Sequence, residues 1–138
     1  IQGWVFGDSD PACASLGDSF TAPDVVIPSG GYMVFAVEED PATCGGGDGI
    51  EEDVVFPTGW ALANGADEIY ICVEGVLIDA VEYSNATFPS AAGKSFGLDP
   101  SLGFGADNNL GSNWCEATSP LPSPSTDFGT PGAANDPC

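Results

Sequence analysis

The chain has 138 residues, enough for about one domain with a core of its own. One basic side chain, Lys94, stands against 21 acidic ones, giving a formal charge of −20 at neutral pH that nucleic-acid backbones and anionic membranes repel. There is no His and no Arg, which rules out Ser-His-Asp and Cys-His catalysis, and no apolar run approaches the ~18 residues that mark a membrane-spanning helix.

Nineteen glycines and twelve prolines cut the sequence into short pieces, the composition of many short strands and frequent turns. Trp4-Val5-Phe6 reads as a strand ended by the polar loop Gly7-Asp8-Ser9-Asp10-Pro11. Asp24-Val25-Val26-Ile27 stops at Pro28, and Gly30-Gly31 turns the chain into Tyr32–Val37. Residues 38–53 form an acidic, glycine-rich loop. The clearest hairpin pairs Glu68–Val73 with Val76–Tyr83 across the two-residue turn Glu74-Gly75, because β-branched and aromatic residues dominate both arms. Within the return arm Asp79 interrupts an apolar run; if its face is buried, it needs hydrogen-bond donors. Residues 119–125 carry three prolines and read as an extended, polyproline-like stretch. No helical periodicity and no internal repeat are present. The expected fold is an all-β antiparallel sandwich, with a barrel as the alternative. Residues 1–118 form its body, and the Pro/Ser/Gly-rich segment 119–138 packs on the same domain.

Five cysteines stand at 13, 44, 72, 115 and 138, with no Cys-x-x-Cys pair, so they read as disulfides in an oxidising compartment rather than as zinc ligands. Cys115 and Cys138 flank the proline-rich tail and are expected to staple it. Cys13 and Cys44 lie in loops that can meet at one end of a sandwich. Cys72 is then the odd one, a buried free thiol in a strand.

With almost no internal cations, the carboxylates must be solvated or neutralised by Na⁺, Ca²⁺ or a basic partner, which points to a saline or divalent-rich setting. Ca²⁺ takes six to eight oxygen ligands. The candidates are Asp8, Asp10, Asp48 and Asp107, in acidic loops that also hold Glu38, Glu39, Asp40, Asn108 and Asn109. The bland alternative is diffuse counterion binding. Glu51-Glu52-Asp53 is the densest carboxylate run, and in so acidic a chain it reads as solvated surface rather than a glycosidase pair. Asn85-Ala86-Thr87 fits the N-glycosylation pattern. Trp4 and Trp114 read as packing residues, whereas Trp60 lies near a loop.

Several segments, in order, resemble the lamin tail domain as it occurs in bacterial secreted proteins. They are Gly3-Trp4-Val5-Phe6, Ile27–Phe35, Leu62–Ile71 with its Asn-Gly turn, Gly75–Tyr83, Gly93-Lys94-Ser95, Asn113-Trp114, and Gly129–Asn135 at the end. The resemblance implies an immunoglobulin-like fold, no catalytic residues, and a binding or scaffolding role. It also implies that one or two strands normally precede the Gly-Trp segment, whereas this chain begins at Ile1, without Met, as a mature or truncated product would.

From that departure follow the functional expectations. The edge at Ile1, Trp4 and Phe6 is expected to lie open and to be covered by a strand from another copy of the chain or from a neighbouring subunit, burying more than roughly 1,000 Å². The segment 119–128 is one candidate donor, despite its prolines. The chain is read as a secreted, non-enzymatic structural module, a self-assembling subunit of an appendage or filament. The alternative is a Ca²⁺-dependent adhesion or accessory binding module of a larger secreted protein. Neither nucleic-acid binding nor membrane insertion is expected.

Overall fold

The computed structural model describes residues 1–9, 11–14, 19–36, 50, 52–56, 62–102, 107–122 and 125–138. Their regular structure is nearly all strand: β1 Trp4–Gly7, β2 Ser19–Thr21, β3 Phe35–Ala36, β4 Val54–Val55, β5 Ala66–Val73, β6 Val76–Ser84, β7 Phe96–Leu98 and β8 Trp114–Glu116, with a 3-10 turn at Gly111–Asn113. The fold is all-β. Four strands form the main sheet in the order β2-β1-β5-β6, all antiparallel. Two small pairs accompany it: β7-β8 is antiparallel, and β3-β4 is parallel.

The expected hairpin is present, one to two residues longer than its sequence signal. Glu74 and Gly75 both take positive φ, 51° and 75°, as a tight turn matching the twist of the two arms requires. A bulge opposite Ile71 and Cys72 inserts one residue into β6 near Ile78. The bulge resets the alternation. Asp79 shares a face with Val81 and Tyr83, while Leu77, opposite Cys72, lies on the other face.

Register divides the main sheet into two faces. Trp4, Phe6, Phe20, Ile69, Ile71, Val81 and Tyr83 share one, which carries the aromatic core; Val5, Tyr70, Cys72, Ala80 and Glu82 share the other. Two aromatic clusters build on the first face. At the β1-β2 end Phe6 and Phe20 meet Phe35 and Phe56, with ring centroids 4.9 Å apart for Phe6–Phe35 and 4.7 Å for Phe20–Phe56. At the β6 end Tyr83, Phe88, Phe96 and Trp114 stand 5.6–6.5 Å apart. Such tilted and edge-on pairs add to the area term of burial.

The opposite face is closed around Cys72, which is 2 % exposed and bonded to Cys13, with Cα atoms 6.0 Å apart. The expected pairing of Cys13 with Cys44 and the free thiol at Cys72 are therefore corrected. Strand alternation turns Cys72 away from the aromatic core and toward the face on which Cys13 lies, so burial and bonding coexist. Cys44 lies outside the described residues. Cys115 and Cys138 form the second disulfide, with Cα atoms 5.5 Å apart.

The C-terminal segment lies on the body. Ser95 N donates to Phe128 O, Phe128 N donates to Gly93 O, and Gly129 N donates to Ser119 O. Asn135 Nδ2 donates to Leu98 O at 2.9 Å, and a Cβ on Gly97 would meet the Asn135 amide at 2.6 Å, so glycine is required there.

Candidate functional site

The edge at Ile1, Trp4 and Phe6 is not open. β1 sits inside the sheet, paired on one side with β2 (Val5 with Thr21, Phe6 with Phe20) and on the other with β5 (Trp4 with Val73, Phe6 with Ile71). Phe6 is buried, and the Ile1 ammonium donates to Val25 O at 2.7 Å. Ser19–Thr21 of the same chain takes the place beside β1 where a strand from another subunit was expected. Residues 119–128 are not free to serve a neighbour either. Pro120 bridges Phe128, and Leu121 N donates to Asp127 O, so the described residues on either side, 119–122 and 125–128, pair with each other.

Among the described residues, most carboxylates accept hydrogen bonds, and several fasten loops. Asp136 takes three bonds, from Ser119 Oγ and from the backbone N–H groups of Thr118 and Ser119, at 2.7–2.8 Å. These donors favour the charged form, Ser119 Oγ most of all, and hold its pKa down to about 2. Asp99 accepts from the Ser101 hydroxyl and amide and from Cys138 N, and the same cause lowers its pKa. Asp53 accepts from Val34 N, and Asp67 from Ala63 N.

Asp79, the acid inside the apolar run, lies on the buried face and finds its donors. Asn108, 5 % exposed, gives it two bonds from Nδ2 at 2.9 and 3.0 Å, and Ala80 N gives a third at 2.9 Å. The Asn108 carbonyl accepts the Trp114 indole N–H at 2.9 Å, which ties this loop to both β6 and β8. Asn108 Oδ1 is buried without a hydrogen bond.

Of the four Ca²⁺ candidates, Asp8 accepts from Ser9 Oγ at 2.7 Å, and the Asp107 carbonyl accepts from Asn113 Nδ2 at 2.9 Å. Asp10 and Asp48 lie outside the described residues, as do Glu38, Glu39, Asp40, Glu51 and Trp60. Among the described residues no three His, Cys, Asp or Glu side chains group as metal ligands would.

A cavity of about 690 Å³ opens beside the second aromatic cluster. Ile69, Val81 and Tyr83 of the main sheet line one side, Phe88, Phe96 and Trp114 another, and Asn64, Asn85, Ser90 and Lys94 add polar groups. The Tyr83 hydroxyl donates to Ala63 O at 2.7 Å. Burial raises its pKa, and the nearby Asp67 and Glu68 push it the same way. Lys94 is engaged, 3.6 Å from Glu116 and 5.5 Å over the Phe128 ring. The chain matches no protein-family model, no curated protein and no solved structure. Asn85 is exposed in the turn that follows β6, beside this cavity.

One feature escaped the sequence reading. Val76, Leu77 and Ile78 are exposed by 60 %, 39 % and 52 % at the start of β6, the outermost strand of the sheet among the described residues. The signal was in the sequence: three consecutive aliphatics cannot all point to one side of a strand, so a one-sided core leaves at least one outside.

Proposed function

We propose that this chain is a non-catalytic, extracellular binding module, an accessory part that holds a partner rather than turning over a substrate. The observation that carries the reading is the occupation of the carboxylates. In a chain without His or Arg they are the main source of acid–base chemistry, and Asp53, Asp67, Asp79, Asp99 and Asp136 serve as acceptors fastening loops and strands. Two disulfides accord with an oxidising compartment, and no helix among the described residues is long and apolar enough to cross a membrane.

Kinship with the lamin tail domain, in its immunoglobulin-like form, is part of the proposal. What supports it is the structural work done by the resembling segments. Trp4 lies in β1, Gly93 and Ser95 bond the strand-like turn at Phe128, and Asn135 of the terminal segment bonds Leu98. A self-assembling filament subunit ranks second, because the open edge that motivated it is occupied by β2. Ca²⁺ as a stabilising counterion belongs to the first reading.

Two measurements test it. Incubation with a broad panel of glycans should give no turnover, and turnover abolished by Glu52→Gln or Glu82→Gln would overturn the reading. Light scattering with and without EDTA should return a monomer in both cases, with an earlier melt in EDTA if Ca²⁺ stabilises. Large chelator-resistant assemblies would restore the filament reading.

A further inference from the structure

Among the described residues the main sheet has a short edge at β2 and ends at β6 with a nine-residue strand paired on one side only. Asn85 N donates to Gly65 O, which places that pair at a hydrogen-bonding position of the antiparallel ladder. Alternation then gives the pairs Asp67/Tyr83, Ile69/Val81 and Ile71/Asp79 the same character. The intervening pairs, Glu68/Glu82 and Tyr70/Ala80, turn the backbone groups of their β6 members away from β5. The Ala80 N–H is taken by Asp79 Oδ1, and the Ser84 carbonyl by Thr87 N and Phe88 N. The Ala80 carbonyl, both backbone groups of Glu82 and the Ser84 N–H face outward, with no strand beside them among the described residues.

We infer that this edge accepts an extended segment of a separate, cationic polypeptide, which pairs along Ala80–Ser84 and covers the exposed Val76–Ile78 with its apolar side chains. The inference rests on the reading of the chain as a binding module and names its partner. Backbone pairing at a free edge supplies affinity without sequence, and the flanking side chains supply choice. The bulge near Ile78 interrupts the ladder, which confines pairing to the regular stretch beyond it.

Charge selects the occupant. Glu68 and Glu82 stand directly opposite each other in a pair of the closer spacing, where like charges destabilise. The sole side-chain cation, Lys94, is engaged at Glu116 and Phe128. A Lys or Arg next to Glu82 on an added strand relieves that repulsion. A second copy of this chain does the opposite, bringing −20 against −20 and acid against acid along the edge.

The test uses the whole disulfide-bonded chain, a short peptide of alternating lysine and valine, and a control peptide of equal charge interrupted by proline. Amide hydrogen exchange, read by NMR at physiological salt, locates the contact. The alternating peptide should slow exchange at Glu82 and Ser84 by about tenfold or more, since a paired strand shields its amides. The proline-interrupted peptide, unable to form a ladder, should not. Glu82→Gln should weaken binding by roughly threefold, within the range of one cross-strand pair. Glu82→Pro should abolish it while sparing the β5–β6 bonds, because the Glu82 N–H points outward. Equal binding of the two peptides, no binding of either, or protection appearing with the protein alone at high concentration would each overturn the inference. Protection around Tyr83 and Trp114 instead would also overturn it, yet leave the binding-module reading standing.

Discussion

The two ends of the main sheet fasten irregular chain by different physical means. At the β1-β2 end, four phenylalanines contact one another and the Cys13–Cys72 bond closes a sequence separation of 59 on the opposite face. At the β6-β7-β8 end, aromatic packing continues, but the C-terminal segment is held by carboxylates taking backbone and hydroxyl donors and by a disulfide of separation 23. Apolar burial and a disulfide hold at any pH between strong acid and strong base. Carboxylate clamps hold only while they are charged. Asp53 makes one such bond, from Val34 N, at the first end, so the C-terminal end should be the more responsive to acid.

The largest expected effect tests the disulfides. In the chain-entropy model, closing loops of these lengths stabilises by about 4 kcal/mol for Cys13–Cys72 and about 3.5 kcal/mol for Cys115–Cys138. Replacing each pair by serine and comparing urea midpoints should show the Cys13/Cys72 variant as the weaker, by more than the loop term alone, because Cys72 is nearly fully buried. If the Cys115/Cys138 variant is the weaker, the C-terminal end is the principal support of the fold and the comparison is reversed.

Next comes the phenylalanine cluster. Phe6 is 8 % exposed, and Phe6→Ala should cost about 3 kcal/mol, at the lower end for buried aromatics because Phe20 and Phe35 are only half-buried and can settle into the gap. A loss below about 1 kcal/mol would mean that the cluster contributes contact without support.

Acid should separate the two ends. The Asp136 pKa is depressed from 3.8 to about 2, so its contribution is present above the unfolded value and is lost as pH falls through that window. Asp99, lowered by Ser101 and the Cys138 amide, acts in the same direction. Amide exchange followed from pH 5 to pH 2 should show Thr118 and Ser119 opening before the residues of β1. Asp136→Asn should remove most of that pH dependence. Simultaneous opening of both ends would show that acid acts on the fold as a whole and not through these clamps.

The smallest effect lies at the hairpin that joins the two ends. Glu74 holds φ at 51°, a conformation that asparagine adopts more readily. Glu74→Asn should raise stability by about 0.5 kcal/mol, and removal of one charge from so acidic a chain acts in the same direction. A destabilised variant would mean that Glu74 makes a contact worth more than its backbone strain.

Much of this was legible in the chain itself. Short-range patterns carried the all-β class and the hairpin, because alternation and a two-residue turn are properties of neighbouring residues. The need of Asp79 for donors also followed from its place in an apolar run; its donor, Asn108, 29 positions away, did not. Composition by itself determined the extreme negative charge and the lack of histidine and arginine, and with them the kinds of chemistry the chain can support. Tertiary structure decided the rest. A cysteine in a strand looks the same whichever face it takes, so only the assembled sheet showed that Cys72 meets Cys13. Which strand is an edge depends on distant partners. Three residues at Ser19–Thr21, too few to carry a pattern, moved the open edge from Trp4 to β6, because pairing is settled by where the backbone groups find one another and not by the side chains beside them.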